Sequence, residues 1–261
     1  MRAFAFVSAL SLAAAPAAAA PQRVASLNLC TDELLLQLGD ARKIVSVTHL
    51  AQKEAETPLW KQARLYPKND GSLASVAVLR PDLVLTMGGG ARDRAGIARR
   101  LGIRLLDLPY PQSLDDIAAN IMRVAAALGR PEAARRPIEA LARLRRTAPR
   151  AAVDTIWLGG GGRTVAAGSL PAQWMALAGF RQRDVAGDRV SLEALLVRPP
   201  ALILRSDYRS GQYSSDQRWL SHPLVARAHG SRTLTTDGRL WTCMGPLLVA
   251  EIDRLRRETG Q

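Results

Sequence analysis

The chain has 261 residues, 48% of them hydrophobic, and a formal net charge of +13. That is enough apolar material for two lobes or one large domain. The charge alone would suit nucleic acid, anionic lipid or an anionic ligand, but the cations are scattered and only 5% of residues are aromatic, which argues against a nucleic-acid binder.

Met1–Ala20 reads MRAFAFVSALSLAAAPAAAA: one arginine, an apolar run too short to span a bilayer, then small residues of A-x-A type. That is the pattern of a secretory signal peptide. No cysteine stands at its end, so no lipid anchor is expected. The predicted product is a soluble monomer exported to a bacterial periplasm.

The mature chain opens with a strand over Arg23–Asn28. A helix, TDELLLQL, follows, with Thr31 or Asn28 as its cap and Gly39 as its stop. Lys43–Thr48 is a second strand, and 51–71 is mostly loop, punctuated by Pro58, Pro67 and Asn69-Asp70-Gly71. Ser72–Thr86, SLASVAVLRPDLVLT, is a helix, a proline break at Arg80-Pro81 and a buried strand. A glycine turn (Gly88–Gly90), a helix and the strand Ile103–Leu108 complete a mostly parallel sheet.

Two helices follow with no strand between them: Ser113–Leu128, then Pro131–Arg146, in which Pro137 should kink the helix or shift its start. They form the natural bridge. Past it lie the strand Thr155–Leu158, a second glycine turn (Gly159–Gly162) and a helix at Leu170–Leu177. Ser191–Arg205, SLEALLVRPPALILR, then repeats the Ser72 module without a gap. Pro81 aligns with Pro200, Leu83 with Leu202 and Val78 with Val197. Two copies of one unit predict two α/β lobes of similar plan. The boundaries are 1–20 for the leader, 21–112 for the first lobe, 113–150 for the helical bridge and 151–261 for the second lobe.

No nucleophile elbow, zinc-protease, P-loop or C-x-x-C motif occurs. An enzyme is therefore disfavoured, and no intrinsic cofactor or metal is expected. Ligands of open α/β sheets gather beyond the C-terminal strand ends, and several candidates fall there. His49 ends a strand. Gly89 could offer its backbone amide to an anion, and Tyr110 and Trp241 could pack on a bulky planar ligand. Ser169 stands at a helix start, and Arg205 follows a strand. Cys30 and Thr31 begin the first helix, and Cys243 lies in the last loop. For the cysteines three readings stay open: unreactive thiols in the cleft walls, a disulfide clamping the lobes, and ligand contact.

Taken together, RVASLNLCTDELLLQLG, SLASVAVLRPDLVLT, VSLEALLVRPPALIL and WTCMGPLLVAEIDRL resemble the periplasmic substrate-binding proteins of ABC importers for cobalamin and ferric chelates. The resemblance covers nearly all of Arg23–Glu258. It implies two Rossmann-like lobes with mostly parallel sheets, bridged by one long helix, and a bulky metal chelate between them. A cobalamin-type corrinoid is favoured, with ferric siderophore or heme next. It also implies that Trp241 is a cleft aromatic and that Glu193 docks on arginines of the membrane permease. The first-lobe counterpart of Glu193 falls on Ala74, which carries no charge.

Overall fold

A computed structural model describes residues 19–89, 91–208, 215–220, 222–226 and 231–260. The expected leader lies outside the described residues except for Ala19 and Ala20.

The elements run β1 (Val24–Ser26), α1 (Leu29–Leu38), β2 (Ile44–Thr48), α2 (Trp60–Ala63), β3 (Lys68–Asn69), α3 (Leu73–Ala77), β4 (Leu83–Met87), α4 (Ala91–Arg100) and β5 (Arg104–Leu108). Then come α5 (Leu114–Ala127), α6 (Arg135–Arg146), β6 (Val153–Leu158), α7 (Leu170–Leu177), β7 (Phe180–Gln182), α8 (Leu192–Val197) and β8 (Leu202–Ser206). The chain closes with α9 (Ser215–Leu220), α10 (Pro223–Ala226), β9 (Arg232–Thr236), α11 (Leu240–Cys243) and α12 (Leu248–Thr259).

The strands form two separate sheets, in the orders β3-β2-β1-β4-β5 and β7-β6-β8-β9, with every pairing parallel. Apart from β3, the orders are the same: β2-β1-β4-β5 matches β7-β6-β8-β9. The repeated modules therefore supply the same strand of each sheet, β4 and β8. Their helices are capped alike: Ser72 Oγ accepts from Ser75 N at 3.2 Å, and Ser191 Oγ from Ala194 N at 3.1 Å. In each sheet the direction of winding reverses beside the first strand, between β1 and β4 and between β6 and β8, which leaves a crevice at the C-terminal strand ends.

Continuous apolar strands require cover on both faces. α3 covers the outer face of the first sheet through Leu73 and Val76, which pack with Ala25 and Val84. α8 covers the second through Leu195, which packs with Ile156 and Ile203. The inner faces share one core, running from Leu35 and Leu85 through Ile121 and Leu144 to Trp174, Leu204 and Ile252. Cutting back one of its fully buried leucines, such as Leu85 or Leu204, should cost about 2–5 kcal/mol.

The bridge is helical, but in two pieces. α5 ends before Gly129, which takes a left-handed φ of 68°, and Pro131–Ala134 is a 3₁₀ turn. α6 then starts at Arg135, so Pro137 sits in its first turn, where a missing N–H costs nothing. Proline has shifted the start of the helix instead of kinking it. α12 fastens the bridge: Arg143 makes a forked ion pair with Asp253 at 2.6 and 3.0 Å. The buried Arg256 donates to Leu144 O, Leu177 O and Thr147 Oγ1.

Candidate functional site

The C-terminal edges of the two sheets face each other, as the contacts between their loops establish. Cys30, just past β1, is disulfide-bonded to Cys243, past β9, with the Cα atoms 5.1 Å apart at a sequence separation of 213. Tyr208, past β8, donates its hydroxyl to Glu56 Oε2, past β2, at 2.7 Å. Arg239, past β9, donates to Glu54 O at 2.8 Å and also holds Asp237.

The turn that presents Cys30 is tightly specified. Asn28 caps α1, its Oδ1 accepting from Cys30 N at 2.9 Å. Thr31 is fully buried; its hydroxyl donates to Asn28 O and shares a 2.8 Å hydrogen bond with Ser26 Oγ. Thr31 thus holds the turn and does not open onto the cleft. Gly39 ends α1 with an extended φ of −75°, not a left-handed one; a side chain there would meet Leu35 O at 2.6 Å.

Two acids in the first turn of α1 lie buried at the floor of this region. Burial pushes Asp32 up to about 7, against the hydrogen bonds from Thr48 and Ser26. Glu33 is also pushed up to about 7, chiefly by burial; the Thr57 hydroxyl opposes the shift, while the charges of Asp32 and Asp237 add to it. In sequence both look like ordinary dipole partners near a helix start, with no local sign of their burial.

Tyr110 and Gly89 stand on the rim. Tyr110 is 59% exposed and lies against Gly88, where a Cβ would come within 2.6 Å of its ring; Gly88 has a φ of 104°. Gly89, with a φ of 79°, has open space beside it. Asn120 Nδ2 donates to Pro109 O, and Gln173 of α7 joins Gln112 O to Leu114 N, so the Tyr110 loop is tied to the bridge and to the second lobe. His49 is exposed at the end of β2, its backbone N–H donating to Asn69 O at 2.8 Å.

The second-lobe candidates are more constrained. Trp241 is only 7% exposed. Its ring tilts against Trp157 at 6.2 Å, and its Nε1 donates to Thr236 Oγ1, which in turn donates to Glu251. It therefore packs inward instead of offering a face to the cleft. Trp157, half-buried at the end of β6, keeps a buried Nε1 with no partner among the described residues; its place before the glycine turn was the available signal. Arg205 is held by Asp207 at 2.9 and 3.2 Å. Ser169 donates to Ala166 O.

Beneath the disulfide lies a cavity of about 20 Å³, lined among others by Cys30, Cys243, Glu33, Met87 and Asn120. That is room for a water molecule, not for a chelate. A larger hollow of about 630 Å³ borders the edge strand β7, among Asp154, Arg181, Arg183 and Arg198. It lies along the side of the second sheet, away from the facing strand ends, and Arg183 within it is already bonded to Asp154 and to two carbonyls. Among the described residues no group of three or more His, Cys, Asp or Glu could hold a metal ion.

Two parallel α/β sheets of matching order, facing one another across their strand ends and joined by helices, define the class of two-lobed binding proteins. The chain belongs to the periplasmic binding protein family, whose model matches residues 24–229. No curated protein matches it significantly in sequence. Among solved structures, the vitamin B12 binding protein BtuF of Vibrio cholerae superposes with a TM-score of 0.63 at 20% identity, over 91% of this chain and 96% of that one. A periplasmic heme binding protein from Pseudomonas aeruginosa gives 0.61 at 22% identity, over 90% and 91%. The siderophore binding protein BauB, bound to ferric iron and two acinetobactin molecules, gives 0.67 at 14% identity, over 92% and 93%.

Proposed function

We propose that this protein captures a bulky metal chelate between its lobes in the periplasm and delivers it to an ABC importer permease. A cobalamin-type corrinoid is favoured, with ferric siderophore or heme next. The observation that carries this reading is the confrontation of the two C-terminal sheet edges, where Cys30, Tyr208 and Arg239 make their contacts between the lobes. The vitamin B12, heme and siderophore binding proteins share this fold. The lobes are residues 21–112 and 151–261, bridged by 113–150, and the leader 1–20 directs export. Tyr110, Gly89 and His49 offer the accessible contacts of the first lobe.

Glu193 is the proposed docking point. It is exposed in the first turn of α8, and its carboxyl is held below the usual range by local hydrogen bonds, including one with Ser191. Val78 and Val197, equivalent in the repeat, are 83% and 85% exposed, so each lobe presents a matching apolar position. Ala74 is exposed but uncharged, which leaves the electrostatic part of docking to the second lobe.

The test is binding without turnover. Cyanocobalamin, hemin and a ferric siderophore should each be titrated against tryptophan fluorescence and melting temperature, with the Cys30–Cys243 bond oxidised and then reduced. Stoichiometric binding of one of them supports the proposal. Chemical conversion of a bound probe would favour the alternative, an exported α/β enzyme using the same cleft.

A further inference from the structure

We propose that the hollow beside β7 is a second ligand site, built for a small amphipathic anion: a carboxylate or phosphate head on a hydrocarbon body. This goes beyond the capture of a chelate between the lobes and does not depend on it.

The hollow exists because the two lobes differ. The first sheet carries β3 outside β2, whereas the second, otherwise of the same order, ends at β7. Side chains alternate along a strand. Phe180 therefore turns into the common core, while Arg181, in register with Asp154, turns with it to the outer face. The hollow touches all three residues, so it wraps around the open edge of the sheet. Its volume is about 630 Å³, and small-molecule sites run to roughly 300–1,000 Å³.

One wall is basic. Arg181, Arg183 and Arg198 converge on Asp154, whose carboxyl is held below the usual range, first by the hydrogen bond from Arg183 and then by the three positive charges. Arg183 is fully engaged, since it also donates to Arg198 O and Pro199 O. The other two are available. Arg181 is 69% exposed and reaches Asp154 only at 4.0 Å, an exposed pair that contributes little. Arg198 is exposed, and its side chain makes no hydrogen bond or ion pair among the described residues. With Asp184 included, three arginines face two aspartates, so the lining carries one net positive charge.

The other wall is apolar. Ala172 and Ala176, one turn apart on α7, line it together with Phe180. Their methyl groups fill little of the space they border. The pairing of the walls selects the ligand. An inorganic anion would leave the apolar wall wet. A neutral hydrocarbon would strip water from two guanidinium groups and give them no partner. A hydrocarbon with an acid head satisfies both walls, the head between Arg181 and Arg198 in charge-assisted hydrogen bonds.

The experiment uses the full mature chain and isothermal titration calorimetry. Decanoate and decyl phosphate are the probes, kept below their micelle concentrations, with decyl glucoside and inorganic phosphate as controls. Co-sedimentation with phosphatidylglycerol vesicles presents the same chemistry as a lipid. Arg181→Gln/Arg198→Gln removes the charge, and Ala176→Phe, at an exposed position of α7, fills the hollow with the charge intact. The site predicts one equivalent of decanoate or decyl phosphate bound, and neither control. Both variants should bind roughly tenfold more weakly or worse, the scale of one lost charge-assisted contact, with unliganded melting temperatures unchanged. Binding to vesicles alone, lost in both variants, would also support the site and make a lipid its source. Vesicle binding lost only in the arginine variant is surface attraction and would overturn it. So would failure of every alkyl acid and vesicle to bind, equal binding of decyl glucoside, or an affinity unchanged in the arginine variant. If Ala176→Phe misfolds, the arginine variant and the glucoside control decide.

Discussion

The Tyr208 hydroxyl donates to Glu56 Oε2 at 2.7 Å, joining loops more than 150 residues apart on opposite sheets. Glu56 is 7% exposed, so this contact removes a carboxylate from water and must satisfy it. Tyr208→Phe should lower stability by about 1 kcal/mol, the usual net worth of one hydrogen bond. Urea denaturation of Tyr208→Phe, Glu56→Gln and the double variant would measure the coupling; strictly additive effects would mean that the contact contributes nothing.

Arg256 is a structural charge. One guanidinium satisfies Leu144 O near the end of α6, Leu177 O at the end of α7, and Thr147 Oγ1. Without it, buried carbonyls lose their partners, each at about 1–3 kcal/mol. Arg256→Met keeps the stem volume and should cost about 2–4 kcal/mol in denaturant unfolding. A loss below about 0.5 kcal/mol, the scale of ordinary surface changes, would show that water replaces the guanidinium freely.

Stability should fall as pH rises from about 4 to about 7. Asp32 and Glu33 shift from ordinary values of 3.8 and 4.5 to about 7 in the folded protein. In that window the unfolded chain has released protons that the folded chain still holds, so raising the pH favours unfolding, by at most about 1.4 kcal/mol per pH unit per group. Above about 7 the effect is complete. Asp40 and Asp70, lowered to about 2 by local hydrogen bonds, act in the opposite sense only below about 4. Glu33→Gln should flatten the profile of melting temperature between pH 4 and 7; a profile parallel to wild type would place the titration elsewhere.

Tyr110 and Glu193 should separate binding from delivery. Tyr110→Ala removes an exposed ring and should weaken ligand binding roughly tenfold, the scale of one aromatic stacking contact, with melting temperature unchanged. Glu193→Ala should leave affinity and melting temperature as they are and reduce uptake through the reconstituted importer. If affinity falls with Glu193→Ala, the residue belongs to the cleft and not to the permease face.

The repeated module was legible because its signals are local. Ser72 and Ser191 cap, Pro81 and Pro200 break, and Leu83–Leu85 and Leu202–Leu204 run apolar, in one register. Their equivalent places in the two sheets follow from that repetition. The inward turn of Trp241 was not legible. An aromatic residue in a strand-end loop reads as a ligand contact, but the hydroxyl of Thr236, five residues earlier, takes its polar atom and the ring of Trp157, from β6 far earlier in the chain, takes its apolar surface. The burial of Thr31 was hidden likewise: it depends on Ser26 lying behind it.

Composition, periodicity and capping determined that this chain makes two α/β units with a helical connection, since those properties act over a few residues. Tertiary structure alone decided that Cys30 and Cys243 meet and that two acids of α1 are sealed from water. Each of these depends on which surfaces two separate sheets turn toward each other. That orientation is set by the core they share, to which residues from one end of the chain to the other contribute at once.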